Sequence, residues 1–258
     1  MDAAIIAGGV TQPGEPLYEA MPGGYKALLD VAGKPMIQWV LDALAAAKTI
    51  ERVVIVGLQP DCGVTCPKPL TFVPDQKSYL DNIRAGILKA LELNLSAKYV
   101  LATGADVPAI TGELVDWVVN TAMETQDDLY YNVIKREAME KRYPGSRRSY
   151  LRLKDVEVCG GDVYVLSSAV VAGREDFWRR LVDARKSVLK QASLIGFDTF
   201  LLAMFHLIDL EGAVRMVSKR LGLKGRAVIC PYPELGMDVD KPFQLEIVRE
   251  DLSRPKPG

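Results

Sequence analysis

The sequence has few of the side chains from which metal, redox and acid–base sites are most often built. Its 258 residues include one histidine and four cysteines. Cys62 and Cys66 form a single C-x-x-x-C in CGVTC, which is too little for a tetrahedral zinc site and is expected to stay reduced. His206 lies in the apolar stretch LLAMFHLIDL and is predicted to be a packed or partly buried residue rather than a catalyst.

The chain also has no large excess of either charge. Thirty-two basic and 33 acidic residues give a net charge of −1, so no overall field attracts nucleic acid or an anionic membrane. No apolar run approaches the roughly 18 residues that span a bilayer, and the N-terminus, MDAAIIAGG, lacks the basic start of a signal peptide. We expect a cytoplasmic protein that binds neither nucleic acid nor membrane and holds anionic ligands by local contacts.

Two glycine patterns of nucleotide-binding proteins are absent. The sequence contains neither G-x-G-x-x-G nor G-x-x-x-x-G-K-[ST], which argues against a dinucleotide-dependent oxidoreductase and a P-loop NTPase. Instead, AAIIAGG leads into a long loop, 10–35, that contains Lys26 and Lys34. Glycines allow close approach to a phosphate, and either lysine could neutralise it; a loop with solvated lysines is the alternative.

Apolar β-type runs alternate with helical periodicity in the first half of the chain. The pattern predicts helices at 35–47, 78–93 and 111–124, the last two beginning at the N-caps Ser78 and Thr111, and strands at 3–7, 52–57 and 98–104. Such alternation predicts an α/β fold with a doubly wound, mostly parallel, Rossmann-like sheet.

The rhythm changes after about residue 128. The sequence predicts strands at 128–135, 158–168 and 226–232, a basic, turn-containing excursion at 137–155, a mostly helical insertion at about 169–222 and a closing helix at 241–252. We expect one domain with a helical insertion rather than two independent domains.

Acidic residues follow two of the predicted strands. Asp106 comes after the strand in VLATGADVPAI, where ligands of open parallel sheets bind, and an unpaired carboxylate is costly to bury. GMDVDKP supplies Asp238 and Asp240, which point the same way in an extended segment. Because Mg²⁺ often takes one or two carboxylates together with substrate phosphates, we predict a cation on Asp106 with Asp238 or Asp240. The alternative for Asp240 is capping of the following helix.

Five segments in this order resemble the successive signatures of the MobA-like NTP-transferase superfamily, whose fold is of the GT-A type: IIAGG, KALLDVAGKPMIQWVLDAL, SYLDNIRAGILKAL, LATGADVPAI and GMDVDKPFQLEIV. The resemblance covers most of 3–125 and 226–250. It implies that the glycine loop wraps a triphosphate, that Lys26 neutralises it, and that Asp106 with a late acid binds Mg²⁺ or Mn²⁺. The implied nucleotide-binding residues are Ala7, Gly8, Gly9, Lys26, Ser78, Asn82 and Gly104.

The sequence departs from the family in the loop between Gly9 and Lys26. This loop is longer than the usual G-x-G-x-R-[MF]-G and has no arginine, so Lys34 or later arginines would have to supply phosphate contacts. Guanidinium groups suit an anionic acceptor, and CGGDVYVL resembles the strand that contacts sugar-phosphate acceptors in relatives. The acceptor candidates are Lys141, Arg142, Arg147, Arg148, Arg152, Gly160, Gly161 and Asp162, and a solvated basic loop is the alternative for the arginines.

The expected reaction is attack of an acceptor phosphate, or of an alcohol, on the α-phosphorus of an NTP with release of pyrophosphate. Lys26 and Asp106 are the catalytic candidates, because such transfers need mainly alignment and charge neutralisation. Within a single domain, 1–258, we assign 1–127 to the NTP, 128–235 to the acceptor and 236–258 to the closing acidic motif and helix.

Two other functions fit parts of the sequence. A GT-A type glycosyltransferase would use DVD at 238–240 as its D-x-D, and a non-catalytic nucleotide-binding regulatory protein would tolerate the altered loop. The apolar stripes of the helical insertion serve internal packing or a homodimer contact.

Overall fold

The computed structural model describes residues 1–171, 174–175, 178–179, 181, 194 and 196–254. Its strands are β1 (Asp2–Ile6), β2 (Asp30–Val31), β3 (Lys34–Pro35), β4 (Arg52–Val56), β5 (Leu70–Val73), β6 (Tyr99–Gly104), β7 (Leu129–Lys135), β8 (Leu151–Arg152), β9 (Glu157–Ser167) and β10 (Gly225–Cys230). The helices are α1 (Met36–Ala46), α2 (Tyr79–Leu93), α3 (Gly112–Met123), α4 (Arg136–Arg142), α5 (Ser168–Val171), α6 (Phe197–Met204), α7 (Leu210–Leu221) and α8 (Pro242–Ser253). Short 3-10 helices occur at Tyr18–Ala20, Lys26–Leu28 and Pro233–Gly236.

One mostly parallel sheet forms the centre of the described protein. Its strand order is β10-β7-β9-β6-β1-β4-β5, with β8 paired to β9. β1 runs parallel to both β4 and β6, whereas β9 is antiparallel to both of its neighbours, β6 and β7. The prediction of a doubly wound, mostly parallel α/β fold is confirmed.

Both faces of the sheet are covered, as strands that are apolar throughout require. In β1, Ala3 and Ile5 join a core that includes residues of α1 and α3. Ile6, on the other face, joins a second core with Ile83 and Ile87 of α2. The carboxyl ends of β1 and β6 are thereby fixed beside each other, because Ile6 is in register with Gly104.

Four strands, β5 and the two-residue strands β2, β3 and β8, were not predicted, and neither was α4, which lies outside the insertion. β5 lies in the proline-rich run CPKPLTFVP and is half-buried at the edge of the sheet, a position where flanking prolines are tolerated. α4 begins the region that was predicted as a basic excursion. The other strand and helix predictions outside the insertion agree with the structure to within two residues at either end.

The insertion contains α5, α6 and α7, while most of its apolar stripe at 177–189 lies outside the described residues. The prediction of a packed His206 is wrong. α6 ends at Met204, and His206 is exposed in the left-handed backbone region at φ 56°, with Nδ1 2.8 Å from the carbonyl oxygen of Arg152. The apolar character of the surrounding sequence did not bury it.

The cysteines and the helices bear on two further expectations from the composition. All four cysteines are free, with Cys62 and Cys66 half-buried and the other two buried. Over the part of the chain that the structure describes, no helix has the length and apolar character needed to cross a membrane.

Candidate active site

The long loop after β1 folds back on itself and returns Lys26 to the end of that strand. The amide of Lys26 donates to the carbonyl of Gly9 at 2.8 Å, Val10 bridges to Tyr25, and the amide of Thr11 donates to Gly24 at 3.0 Å. The extra residues therefore form a closed excursion. This explains how a loop longer than the family pattern still places a lysine beside the glycine turn.

Lys26 lies between two carboxylates. Its Nζ is 2.7 Å from Asp106 Oδ2 and 2.5 Å from Asp240 Oδ1. Burial opposes the charge of Lys26, but the two carboxylates outweigh that effect, so its pKa lies above the ordinary lysine value. Lys34, the other loop candidate, instead pairs with Asp42 at 2.6 Å on the surface. The structure therefore distinguishes the two lysines.

The late acidic motif is held directly against Asp106. The amide of Val239 donates to the backbone carbonyl of Asp106 at 2.9 Å. On either side of Val239, Asp238 is buried against Arg148, whereas Asp240 reaches Lys26. Asp238 and Asp240 thus take part in two neighbouring ion pairs with different cations.

Asp240 does not cap the closing helix, so that alternative is wrong. α8 has Lys241 as its N-cap residue, with no side-chain cap. The amide of Asp240 instead donates to Gln244 Oε1 at 3.0 Å, which leaves the Asp240 carboxylate for Lys26.

Asp162 brings a further carboxylate to the same edge of the sheet. Thr103 of β6 pairs with Val163 of β9, so Asp162 lies next to the strand end that carries Asp106. Burial raises the pKa of Asp162 to about 7, and the charges of Asp106 and Asp240 add to this effect. Tyr164 donates a hydrogen bond to Asp162 Oδ1 at 3.3 Å, and Arg148 lies 4.0 Å from Oδ2.

The charges of this cluster do not cancel. The four carboxylates are Asp106, Asp162, Asp238 and Asp240, and the two cations among them are Lys26 and Arg148. With all six groups ionised, the described cluster has a formal charge of minus two. Burial first, and then repulsion from Asp106 and Asp240, explains why Asp162 retains its proton up to a higher pH.

Two residues that the sequence did not single out, Gly57 and Asp75, complete the glycine turn. Gly57 has φ 105°, and a Cβ atom there would lie 2.2 Å from the Cα of Gly8. A Cβ on Gly8 would lie 2.4 Å from Asp75 Oδ1, which in turn accepts from the side-chain Nδ2 of Asn82 at 2.8 Å. The signal that was overlooked is the glycine that ends the second predicted strand, since only glycine adopts this φ without strain.

The other predicted nucleotide-binding residues lie around this turn. The amide of Ala7 donates to Val56 at 2.8 Å, and buried Asn82 accepts from the amide of Gln76 at 2.7 Å. Ser78 caps α2 by accepting from the amide of Asp81 at 3.1 Å. Gly104 makes room for Asp106, whose Oδ1 lies 2.3 Å from the place that a Cβ would take.

The predicted acceptor arginines do not converge, which corrects the view of them as one anion-binding patch. Arg148 enters the carboxylate cluster, whereas exposed Arg147 stacks over Phe243 at 5.2 Å and Arg152 is exposed on β8. Arg142 is held by Glu234 and Asp251. Hydrogen bonding to Asp251 raises the pKa of Arg142, although burial acts against it. Intervening backbone turns send these side chains in different directions.

The two predicted acceptor glycines also differ. A Cβ on Gly160 would lie 2.1 Å from the hydroxyl of Tyr131, so this glycine makes room for a side chain on the face that carries Asp162. Gly161 is buried on the other face, where a Cβ would lie 3.1 Å from Ile134 Cδ1. Its position is explained by packing within the sheet.

A cavity of about 420 Å³ lies beside the Lys26 ion pairs. Gly9, Lys26, Asp240 and Lys241 line it together with residues of the folded-back loop. The charged side chains of its lining are balanced, with Lys26 and Lys241 against Glu15 and Asp240.

The carboxylates fit a hard divalent cation that takes only part of its coordination from protein. Asp106 and Asp240 each direct an oxygen at the same Lys26 nitrogen, which shows that the two can approach one cation. Within the described ranges, no three histidine, cysteine or acidic side chains are grouped to hold a metal ion. Mg²⁺ with one or two carboxylates, phosphate oxygens and water is consistent with such a donor set.

Comparison with known proteins identifies the family. The family model of the MobA-like NTP transferase domain matches residues 3–187 of the sequence. The chain belongs to the MobA-like NTP transferase family. This confirms the resemblance read from the five sequence segments.

Individual relatives agree with the family and the fold. A hypothetical transferase from Thermus thermophilus is 33% identical, covers 95% of this chain and 98% of its own, and superposes with a TM-score of 0.81. CMP:2-keto-3-deoxy-manno-octonic acid synthetase complexed with CTP is 16% identical, covers 97% of both chains and has a TM-score of 0.59, which shows a shared fold. A probable molybdenum cofactor guanylyltransferase from Pyrococcus horikoshii is 28% identical over 117 residues, or 45% of this chain. The chain spans about half, 54%, of the length of that relative.

Proposed function

We propose that this MobA-like protein is a Mg²⁺-dependent nucleotidyltransferase that transfers an NMP from an NTP to a small anionic acceptor and releases pyrophosphate. The observation that carries the proposal is the position of Lys26 Nζ, which contacts Asp106 and Asp240 beside the glycine turn. A cation and two carboxylates at the carboxyl ends of β1 and β6 are the groups that phosphoryl chemistry requires.

Asp106 and Asp240 would hold the magnesium ion, or Mn²⁺ in its place, while Asp238 would hold Arg148 in position. The net negative charge of the cluster supports this assignment, since a divalent cation offsets it. When bound, the ion supplies charge neutralisation at the transferred phosphate.

Lys26 would move its contact from the carboxylates to the phosphates of the nucleotide and stabilise charge on the leaving pyrophosphate. Lys241 also lines the 420 Å³ cavity. It would supply the second positive charge for the phosphates, in place of the arginine that this loop lacks. The structured turn of Asp75 and Asn82 at the start of α2 would contact the nucleoside, next to Gly8.

The acceptor would approach from the β9 side of Asp106, where Arg148 and Asp162 lie. Asp162, with its pKa near 7, would take up a proton if the acceptor is an alcohol. A phosphate acceptor needs no such base, because it is already ionised.

The first experiment is a screen of the four NTPs, with and without Mg²⁺, for thermal stabilisation. A ligand of the folded state raises the melting temperature. GTP and CTP take priority, because the relatives are named as a guanylyltransferase and as a synthetase bound to CTP. Pyrophosphate release from the selected NTP is then measured with phosphorylated acceptors.

The variant that tests the site is Asp106→Ala, with Asp42→Ala as the matched surface control, because Asp42 also pairs with a lysine. We expect Asp106→Ala to lower the turnover by at least about 100-fold, the scale of a lost electrostatic contact to the transition state. A normal rate in Asp106→Ala refutes the metal assignment. NTP binding without pyrophosphate release supports a regulatory protein, and sugar transfer from a nucleotide-sugar supports a glycosyltransferase.

A further inference from the structure

A second pocket, of about 250 Å³, lies on the β7–β9 face of the sheet. Its wall is almost entirely aromatic and aliphatic and includes Ile83, Leu129, Tyr131, Tyr164, Leu166 and Trp178. None of these residues was among the predicted site residues. The strand order places β9 next to β6 and β6 next to β1, so this pocket is on the acceptor side of Asp106 and the glycine turn is on the other side.

The face of β9 changes from apolar to acidic towards the candidate active site. Alternate residues of a strand face the same side, so Leu166, Tyr164 and Asp162 follow one another on this face. Leu166 pairs with Leu129, and Tyr164 pairs with Tyr131 on β7. The two tyrosine rings stack with centroids 5.5 Å apart.

The tyrosine pair connects the pocket with the carboxylate cluster. Tyr164 lines the pocket with its ring and donates from its hydroxyl to Asp162 at 3.3 Å. Burial raises the pKa of Tyr131, and the nearby charge of Asp162 adds to this effect. The apolar space therefore ends at the carboxylate that lies next to Asp106.

Two of the polar groups in the wall of the pocket are already engaged. The indole N–H of Trp178 donates to the carbonyl of Val170 at 3.0 Å, and the hydroxyl of Tyr164 donates to Asp162. A sugar placed here would lose water from hydroxyl groups without gaining partners for all of them, which is unfavourable. An apolar ring or chain would lose no hydrogen bond.

We propose that this pocket holds the apolar body of the acceptor, whose phosphate lies at the Asp162 and Arg148 end. The proposal rests on the nucleotidyltransferase function and narrows its acceptor to phosphates with an aromatic or aliphatic body. Arg148 lies within 4.0 Å of Asp162 and can pair with the phosphate, while stacking on Tyr131 and Tyr164 orients the body.

The test compares two monophosphates by calorimetry and thermal shift, with Mg²⁺ and without NTP. The probes are 1-naphthyl phosphate and glycerol 3-phosphate, which share a phosphate and differ in the body. We expect naphthyl phosphate to bind at least ten-fold more tightly. Equal affinities, or no binding of naphthyl phosphate, overturn the proposal.

Variants locate the preference in the pocket. Ile83→Phe fills the pocket and should abolish the ten-fold preference, whereas Leu88→Phe, on the exposed side of the same helix, should retain it. A preference that survives Ile83→Phe overturns the proposal. If Ile83→Phe does not fold, Val170→Leu adds a smaller volume to the same wall, and its result is judged by the same criterion.

The binding measurement is independent of the proposed reaction. If naphthyl phosphate binds as expected but the protein releases no pyrophosphate, the proposed nucleotidyl transfer is wrong and the proposed pocket is supported. If pyrophosphate is released faster with glycerol 3-phosphate than with naphthyl phosphate, the proposed reaction is supported and the apolar acceptor is wrong.

Discussion

Lys26 and Lys34 differ in their surroundings rather than in their chemistry. Both lie in the long loop after β1, yet Lys26 is half-buried between two carboxylates and Lys34 makes a surface pair with Asp42. An exposed pair contributes about 0–1 kcal/mol. A lysine aimed at two carboxylates in a partly buried site has a stronger electrostatic role, because the effective dielectric constant there is lower.

Replacing Lys26 by methionine should lower the rate of pyrophosphate release by about 100-fold or more. The cause is the loss of the positive charge beside Asp106 and Asp240 and, in the proposed reaction, beside the leaving group. Steady-state kinetics with the NTP from the screen measures the effect. Lys34→Met is the control and should remain within a few-fold of the parent; equal losses in the two variants would contradict the assignment.

Asp162 is expected to make stability depend on pH. Its pKa is about 7 in the folded protein and about 4 in an unfolded chain. Between these values the folded state binds more protons than the unfolded state, so the contribution of Asp162 to the free energy of unfolding falls as pH rises from about 4 to about 7.

The Asp162→Asn variant removes this titration. With EDTA present to keep the site metal-free, its melting temperature should fall less than that of the parent between pH 5 and pH 7. Asp61→Asn, an exposed site, should follow the parent. If the melting temperatures of the parent and of Asp162→Asn change equally with pH, or if that of the parent falls less, then Asp162 does not have a raised pKa.

At the scale of elements, helices α2 and α3 begin where the sequence predicted. Ser78 and Thr111 each accept a hydrogen bond from an amide of the first helical turn, at 3.1 Å and 3.3 Å. Loss of such a cap costs about 1 kcal/mol. Only Ser78 adjoins the turn in which Asp75 and Asn82 pack against Gly8.

We therefore expect Ser78→Ala and Thr111→Ala each to lower the free energy of unfolding by about 1 kcal/mol, as measured by chemical denaturation. Calorimetry with the selected NTP should separate them. Ser78→Ala should also weaken NTP binding, because the α2 turn is part of the proposed nucleotide site, while Thr111→Ala should not. Unchanged affinity in both variants would remove Ser78 from that site.

At the scale of the whole molecule, the carboxylate cluster joins distant parts of the chain. Arg148 lies in the segment before β8, and its partner Asp238 lies just before the last helix, with both side chains largely buried. Because an isolated buried charge is costly, the removal of one partner of such a pair typically destabilises a protein by about 3–5 kcal/mol.

A double-mutant cycle measures this link. Arg148→Met and Asp238→Asn should each be strongly destabilising, and the double variant should lose less than the sum by about 1–3 kcal/mol. The more exposed pair of Arg226 and Asp127 is the matched control, with an expected coupling of about 0–1 kcal/mol. Additive losses for Arg148 and Asp238 would show that the pair does not act as a unit.

The sequence by itself determined the family, the mostly parallel sheet and the positions of Lys26 and Asp106 along the chain. These features depend on local patterns: apolar runs for buried strands, N-cap residues for helix starts, and glycine followed by lysine or acid at strand ends. The same patterns left β5 unpredicted, because its prolines are typical of loops and only pairing at the sheet edge makes LTFV a strand.

Only the tertiary structure decided which side chains meet. Lys26 rather than Lys34 reaches Asp106 because the loop closes at Gly9, and Asp240 rather than Asp238 shares Lys26 because Val239 is held on the Asp106 carbonyl. Asp162 lies in the cluster because the antiparallel register of β9 with β6 places it beside the strand end that precedes Asp106. The arginines separate because backbone turns lie between them. These choices depend on contacts between residues far apart in the chain, which local sequence does not specify.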